Sequence, residues 1–256
     1  MPGPATSAPP GTAPAAASGT AAAAAPGTAT AAAPPVAAAP PPPTPGSPVG
    51  GPNATSLATS STPAPGATSL AQAFDERFAT NARRWPDDVQ STAWLVDGGY
   101  RLEPRQPGQF VVIRVPTPGA YRDVRVTGLF RKLGGPLGGG YGLVVGDQSP
   151  APLDGVLQTG RFYLCEVSDR GEVGIWLRDG NTWVDLLPWT ASAAVRRGTE
   201  PNELVCETRG PRLSFRVNGA MIADVQESVV TQGAVGVFAG GDGNQTLLEH
   251  LTVEPL

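Results

Sequence analysis

What most constrains this chain is a boundary near residue 69, on whose two sides the composition obeys different rules. Between Met1 and Ser69 there is no Asp, Glu, Lys or Arg and no aromatic residue. The segment is almost entirely Ala, Pro, Gly, Thr and Ser, with runs such as Ala21 to Ala25 and Pro40 to Pro43. Ordering a backbone costs roughly 1–2 kcal/mol per residue, and a segment with so little apolar surface has nothing to set against that cost. Pro at this density excludes helix and sheet ladder alike, which leaves coil and polyproline II. Residues 1–69 are therefore expected to form a disordered Pro/Ala/Gly/Thr-rich linker. At about 3 Å per extended residue it could hold a domain more than ~100 Å from an anchor.

All 18 basic and 22 acidic side chains fall beyond that boundary. Residues 70–256 suffice for one domain and are short for two. A formal net charge of -4, with Arg and acidic residues interspersed, argues against nucleic acid as a partner, since such proteins carry a basic face. No basic segment followed by an apolar one opens the chain, so no signal peptide is visible. No window approaches 18 apolar residues, so membrane insertion by this chain is not expected. A Pro/Ala/Thr spacer suits an envelope or secreted protein. The expected localisation is therefore extracytoplasmic, with any anchor encoded upstream of Met1.

From Leu70 onward apolar residues recur at every second position in short runs separated by Gly, Pro, Asn and Asp, which is the signature of strands and turns. Val124, Val126 and Phe130 share one face. So do Leu204 and Cys206, then Leu213, Phe215 and Val217, and likewise Val173, Ile175 and Leu177, opposite Trp176 and Arg178. Asp169-Arg170-Gly171, Asp179-Gly180-Asn181 and Asn218-Gly219 are hairpin turns by composition. Strands are expected at 142–147, 161–167, 172–178, 203–209, 212–217 and 221–225, with a short helical turn near 229–232. About a dozen strands exceed what one open sheet usually holds, so the expected class is all-β, as two stacked sheets.

Several segments, in order, resemble the concanavalin A-like lectin/glucanase superfamily. They begin with Phe74-Asp75-Glu76-Arg77-Phe78 followed by Trp85, and continue with Gly134-Gly135-Pro136 leading to Gly140-Tyr141-Gly142-Leu143. Arg161-Phe162-Tyr163, Gly174-Ile175, Trp183 and Leu213 to Gly219 follow. Gly233-Ala234-Val235-Gly236-Val237 and His250-Leu251-Thr252-Val253 close the series. Within that superfamily the chain looks most like bacterial laminin G-like and 3-keto-disaccharide hydrolase-like domains. The resemblance covers residues 72–255. It implies a jelly-roll β-sandwich whose concave sheet binds or cuts glycans, although a fold does not by itself convey function.

The chemistry visible in the sequence is sparse. Glucanases of this fold carry an E-x-D-x-x-E strand, which is missing here. The nearest run, Glu166, Asp169 and Glu172, reads as a solvated hairpin, and no catalytic residue is expected. Glycoside hydrolysis needs two carboxylates flanking the bond. His250 is the single histidine and reads as a partly exposed strand residue. Cys165 and Cys206 read as buried free thiols, because their strands are expected to lie next but one in a single sheet, too far apart for a disulfide. The glycines from Gly134 to Gly142 lack the Gly-Lys-Ser/Thr ending of a nucleotide-binding loop and read as a loop bending onto the next strand. No cofactor is expected. Calcium is the one candidate, through Asp147, Asp154, Asp242 and Asn244, without the oxygen-dense spacing that hard cations need.

The functional signal is aromatic. Trp176 points away from the Ile175 and Leu177 face and can stack on a sugar ring. With Tyr163 on the same meander, and Arg178, Asp179 and Asn181 to fix hydroxyls, it forms the expected ligand patch. Trp183 and Trp189 are assigned to the core. The expectation is thus a monomeric, non-catalytic binding module for a glycan. The alternative is a structural or envelope-protein-binding sensor domain, and a 3-keto-glycoside hydrolase trails both.

Overall fold

The computed structural model describes residues 72–106, 108, 110–117, 119–149 and 159–256. The leader expected at 1–69 lies outside them. The chain divides into Met1–Ser61 and Thr62–Leu256, and every described residue belongs to the second unit.

The first seven strands are β1 (Phe74–Glu76), β2 (Ala93–Val96), β3 (Gly99–Leu102), β4 (Phe110–Arg114), β5 (Val124–Gly134), β6 (Gly140–Asp147) and β7 (Gly160–Ser168). The remainder are β8 (Glu172–Gly180), β9 (Thr182–Ala191), β10 (Asn202–Arg209), β11 (Arg212–Val217), β12 (Ala220–Gln226), β13 (Ala234–Gly240) and β14 (Gln245–Pro255). They form two antiparallel sheets. One runs β12-β11-β10-β5-β14-β3-β2, with β1 also paired to β14 and bringing it to eight strands, and the other runs β4-β13-β6-β7-β8-β9. The sandwich expected from strand periodicity is the observed architecture. All six segments read as strands from the sequence lie in strands, extended by a residue or two in most cases.

Turn chemistry fixes the hairpins. Asn218 and Gly219 both hold positive φ, 49° and 82°, as a tight hairpin between β11 and β12 requires. The inward-facing residues of the two sheets then meet in one core. Val124, Val126, Phe130, Leu204, Cys206, Phe215, Leu251 and Val253 come from the eight-stranded sheet, and Leu143, Val145, Cys165, Val173, Ile175 and Val237 from the other.

Two expectations change. Around 229–232 the chain is irregular. Glu227 turns its carboxylate back onto the N–H groups of Ser228 and Val229, at 2.7 and 3.0 Å, which competes with helix formation. Cys165 and Cys206 are free and buried, as expected, but for a different reason. They lie in different sheets, on β7 and β10, and their thiols meet across the core. Burial first, then the facing Cys206, pushes the Cys165 thiol well above its ordinary range.

Candidate functional site

The sheets differ on the faces they turn away from each other. In β6 every residue is buried, and in β7 all but the first two. Polar alternation is therefore missing in these two central strands, whose residues are buried on both faces. The inner face of their sheet makes the core. Its outer face carries a second apolar cluster of Val112, Val144, Phe162, Leu164 and Phe238, against which Phe110, Trp176 and Trp183 pack. The rings meet edge to face: Trp183 stands 5.4 Å from Phe110 and 5.8 Å from Phe162, and Trp176 stands 5.7 Å from Trp189. Between these rings opens a cavity of about 400 Å³, lined by Phe110, Leu164, Trp176, Trp183, Trp189 and Phe238 together with Glu166 and Asp242. That size suits a small ligand.

Glu166 supplies the unusual chemistry. On β7 it follows Phe162 and Leu164 in outward parity, and its register partners are Gly142 on β6 and Gly174 on β8. It thus has a side-chain-free residue on either side. It is 6% exposed, and no hydrogen bond or ion pair reaches its carboxyl among the described residues. Burial pushes its pKa up to about 8. The Trp176 indole N–H stands close enough to oppose that rise, yet misses hydrogen-bond geometry and stays an unpaired buried donor. At neutral pH this carboxyl is mostly protonated, so the cavity floor presents a neutral acid and an indole N–H side by side.

Glycines clear the space. A methyl group on Gly140 would lie 2.1 Å from Glu166 Oε2 and 3.3 Å from the Trp189 ring, and one on Gly174 would lie 2.7 Å from Trp176 Nε1. The loop from Gly134 to Gly139 is pinned from beneath. Lys132 and Asp169 form an ion pair of 2.8 Å with side chains 4% and 2% exposed. Lys132 Nζ also donates to the Pro136 carbonyl, and the Gly138 N–H donates to Asp169 at 2.7 Å. Asn244 joins the neighbouring strand ends, donating to the carbonyls of Gly140 and Gly240 at 2.9 Å each. At the rim, Asp242 accepts from the Gly108 N–H at 2.8 Å.

The residues proposed from sequence are only partly brought together. Trp176 lines the cavity. Arg178 shares its face but lies over the rings of Phe110 and Trp183, at 5.6 and 4.9 Å, with one N–H donated to the Asn181 carbonyl at 2.9 Å. Burial lowers its pKa. Asp179 is engaged by Arg161 at the hairpin end, and Asn181 lies in the turn that follows. Tyr163 faces the core instead, because Phe162 and Leu164 take the outward parity of β7. Its hydroxyl accepts from the Val230 N–H at 3.0 Å, and burial raises its pKa.

Trp183 and Trp189, assigned to the core from sequence, line the cavity. Two register shifts against β8 let Leu186 and Leu187 of β9 pack on the core while both tryptophans stay outside. The 166–172 run is not a solvated hairpin, since Glu166 and Asp169 are both buried. The calcium candidates do not converge. Asp147 is held by Arg114 and the Ser149 N–H at the opposite end of β6 from Asp242, and Asp154 lies outside the described residues. Among the described residues no three His, Cys, Asp or Glu side chains gather. His250 sits partly exposed, 3.0 Å from Asp75. Glu166 itself was legible through one signal: a carboxylate breaking a strand that is apolar on both faces.

No family model and no curated protein matches the sequence. Solved structures do match in shape. The carbohydrate-binding module CBM66 from Bacillus subtilis gives a TM-score of 0.50 at 15% identity, over 66% of this chain and 90% of that one. The metal-free carbohydrate recognition domain of Emp46p gives 0.51 at 13% identity, over 70% and 90%. A native glycosidic hydrolase gives 0.52 at 11% identity, over 72% and 96%. At such identities the likeness concerns fold. By strand order and these superpositions, the described residues have a two-sheet β-sandwich fold of the concanavalin A-like kind.

Proposed function

We propose that this domain is a non-catalytic carbohydrate-binding module whose site is the aromatic cavity on the outer face of the six-stranded sheet. One observation carries the reading: three tryptophans, Trp176, Trp183 and Trp189, surround a single cavity with a buried carboxyl at its floor. The C–H face of a pyranose or furanose ring stacks on indole, and its hydroxyls need a few fixed polar partners. Glu166, the Trp176 N–H and the free lone pairs of Asp242 supply them. Two of the structural neighbours are named for carbohydrate recognition, which supports the same reading. Residues 1–69 would serve as the spacer displaying the module outside the cytoplasm.

The test is a glycan array probed with the full chain, with and without calcium, comparing wild type with Trp176→Ala and Trp189→Ala. Binding to a defined glycan, weakened at least tenfold by both variants while they remain folded, is the expected result. Binding that neither variant weakens would move the site elsewhere, and silence from a folded chain would favour a structural or protein-binding domain.

A further inference from the structure

Building on the carbohydrate-binding reading, we propose that Glu166 meets its ligand as an uncharged carboxylic acid, donating its proton to a ligand oxygen. The cavity then selects neutral, oxygen-rich rings and releases them in alkaline solution. The geometry leaves this carboxyl few alternatives. Its cross-strand partners Gly142 and Gly174 bring no side chain, and Trp176 on β8 and Trp189 on β9 bring rings. From β13 come Phe238 and Gly240, and from β7 itself Leu164.

No cation faces it. Lys132 is spent on Asp169, and Arg161 on Asp179. Arg170 stands behind the Gly138 backbone, donating to the Leu137 carbonyl. Arg178 is turned over Phe110 and Trp183. The nearby ionisable groups are acids: Asp242 on the cavity lining, and Glu172 at the Ser168 end of β8, bound by the Ser168 hydroxyl. Neither can neutralise a carboxylate, and the buried Cys165 lies on the other face of the strand. A proton is what such a carboxyl retains, and its raised pKa of about 8 agrees.

A protonated carboxyl and, beside it, the unpaired Trp176 N–H put two donors on the cavity lining. The complementary group is an ether, hydroxyl or carbonyl oxygen. An ammonium group offers the neutral acid no acceptor and would be held only by drawing its proton off, in a separate ionised state. A neutral hexose or pentose ring fits the neutral acid and a basic amino sugar does not.

The test has two arms on the full chain. Side-chain carboxyl signals in 13C-glutamate-labelled protein are titrated without ligand. One carboxyl is expected to titrate near pH 8, alone among the glutamates, and to vanish in Glu166→Gln. In the second arm the glycan array, printed with neutral, N-acetylated and amine-bearing sugars, is read at about pH 7 and pH 9.5. Wild type is expected to prefer neutral sugars and to bind about 30-fold more weakly at the higher pH, the fraction protonated falling tenfold per unit. Glu166→Gln keeps an N–H donor, so its affinity should change less than about twofold over the same range. A Glu166 carboxyl titrating below pH 6, or equal pH dependence in the Gln variant, overturns the inference and leaves carbohydrate binding standing. Binding absent at every pH, in a chain whose carboxyl titrates near 8, overturns it together with the carbohydrate reading.

Discussion

The two outer faces of the sandwich make an instructive pair. On the eight-stranded sheet the outward positions are ionic and matched across strands. Arg125 and Arg209 both reach Glu207, at 2.9 and 2.7 Å, Arg131 reaches Glu249 at 2.8 Å, and Arg212 pairs with Asp224. Apart from Arg209–Glu207, two positions apart on β10, these are ordinary cross-strand pairs, and all are of small individual worth in water. On the six-stranded sheet the outward positions around the cavity are mostly Phe, Val, Leu, Trp and Gly, and among the described residues Glu166 has no ion-pair partner there. A face whose only task is to be wetted balances its charges. A face that keeps a lone carboxyl among aromatic rings, under conditions that hold it neutral, is built to meet something.

The largest effect expected from testing that contrast lies beneath the cavity wall. Lys132→Met removes the partner of a buried Asp169, and breaking such a pair costs about 3–5 kcal/mol. Chemical denaturation measures it. A loss under about 1 kcal/mol would show that the ion pair does not anchor the glycine loop.

Next comes Glu166→Gln, with the opposite sign. Unfolded, this carboxyl ionises near its ordinary 4.5, whereas folded it keeps its proton to about 8. Between those values the folded state binds more protons, so wild-type stability falls as pH rises. The Gln variant escapes that loss. Its advantage should be absent below pH 4.5, reach about 3 kcal/mol at pH 7 and level off above pH 8. Denaturation midpoints at pH 4, 7 and 9 check this, and a variant equally or less stable at pH 7 would break the contrast between the faces.

Gly140→Ala sharpens the comparison within the cavity. Its methyl group meets the movable end of Glu166 and the edge of Trp189. Stability should change by less than about 1–2 kcal/mol, while glycan binding drops tenfold or more by calorimetry. The smallest effect belongs to the ionic face. Glu207→Gln should lower stability by less than about 1 kcal/mol, less still in high salt, with no effect on glycan binding. Arg125 and Arg209 hold Glu207 below its ordinary pKa despite the opposing effect of burial, so what it contributes is lost as pH falls through that lowered value. A salt-independent loss, or a loss of binding, would show that the ionic face does more than interact with water.

How much of this was legible in the sequence follows from what sets each feature. Strand parity is local, and it gave Val173, Ile175 and Leu177 against Trp176, and Leu213, Phe215 and Val217 against their polar neighbours. The order of motifs gave the fold. Position across the sandwich is not local: Cys165 and Cys206 face each other from different sheets because strand order, not chain order, decides neighbours. Tyr163 was lost to a choice of parity in a strand apolar on both faces, where alternation carries no signal. Trp183 and Trp189 were misplaced because the two register shifts of β9 let consecutive leucines turn inward. Glu166 was seen only as part of an acidic run, since its solitude depends on glycines 24 residues upstream and 8 residues downstream of it.

The account's central claim is that ligand enters among the three outward tryptophans. It is tested most directly by indole 1H–15N spectra of the full chain, with each of its five tryptophans assigned by substitution, recorded during titration with a glycan the array selects. The account predicts that the signals of Trp176, Trp183 and Trp189 move together and saturate, while those of Trp85 and Trp94, on the other sheet's side, stay where they are. Saturable shifts confined to Trp85 or Trp94, with the cavity tryptophans unmoved, would contradict it.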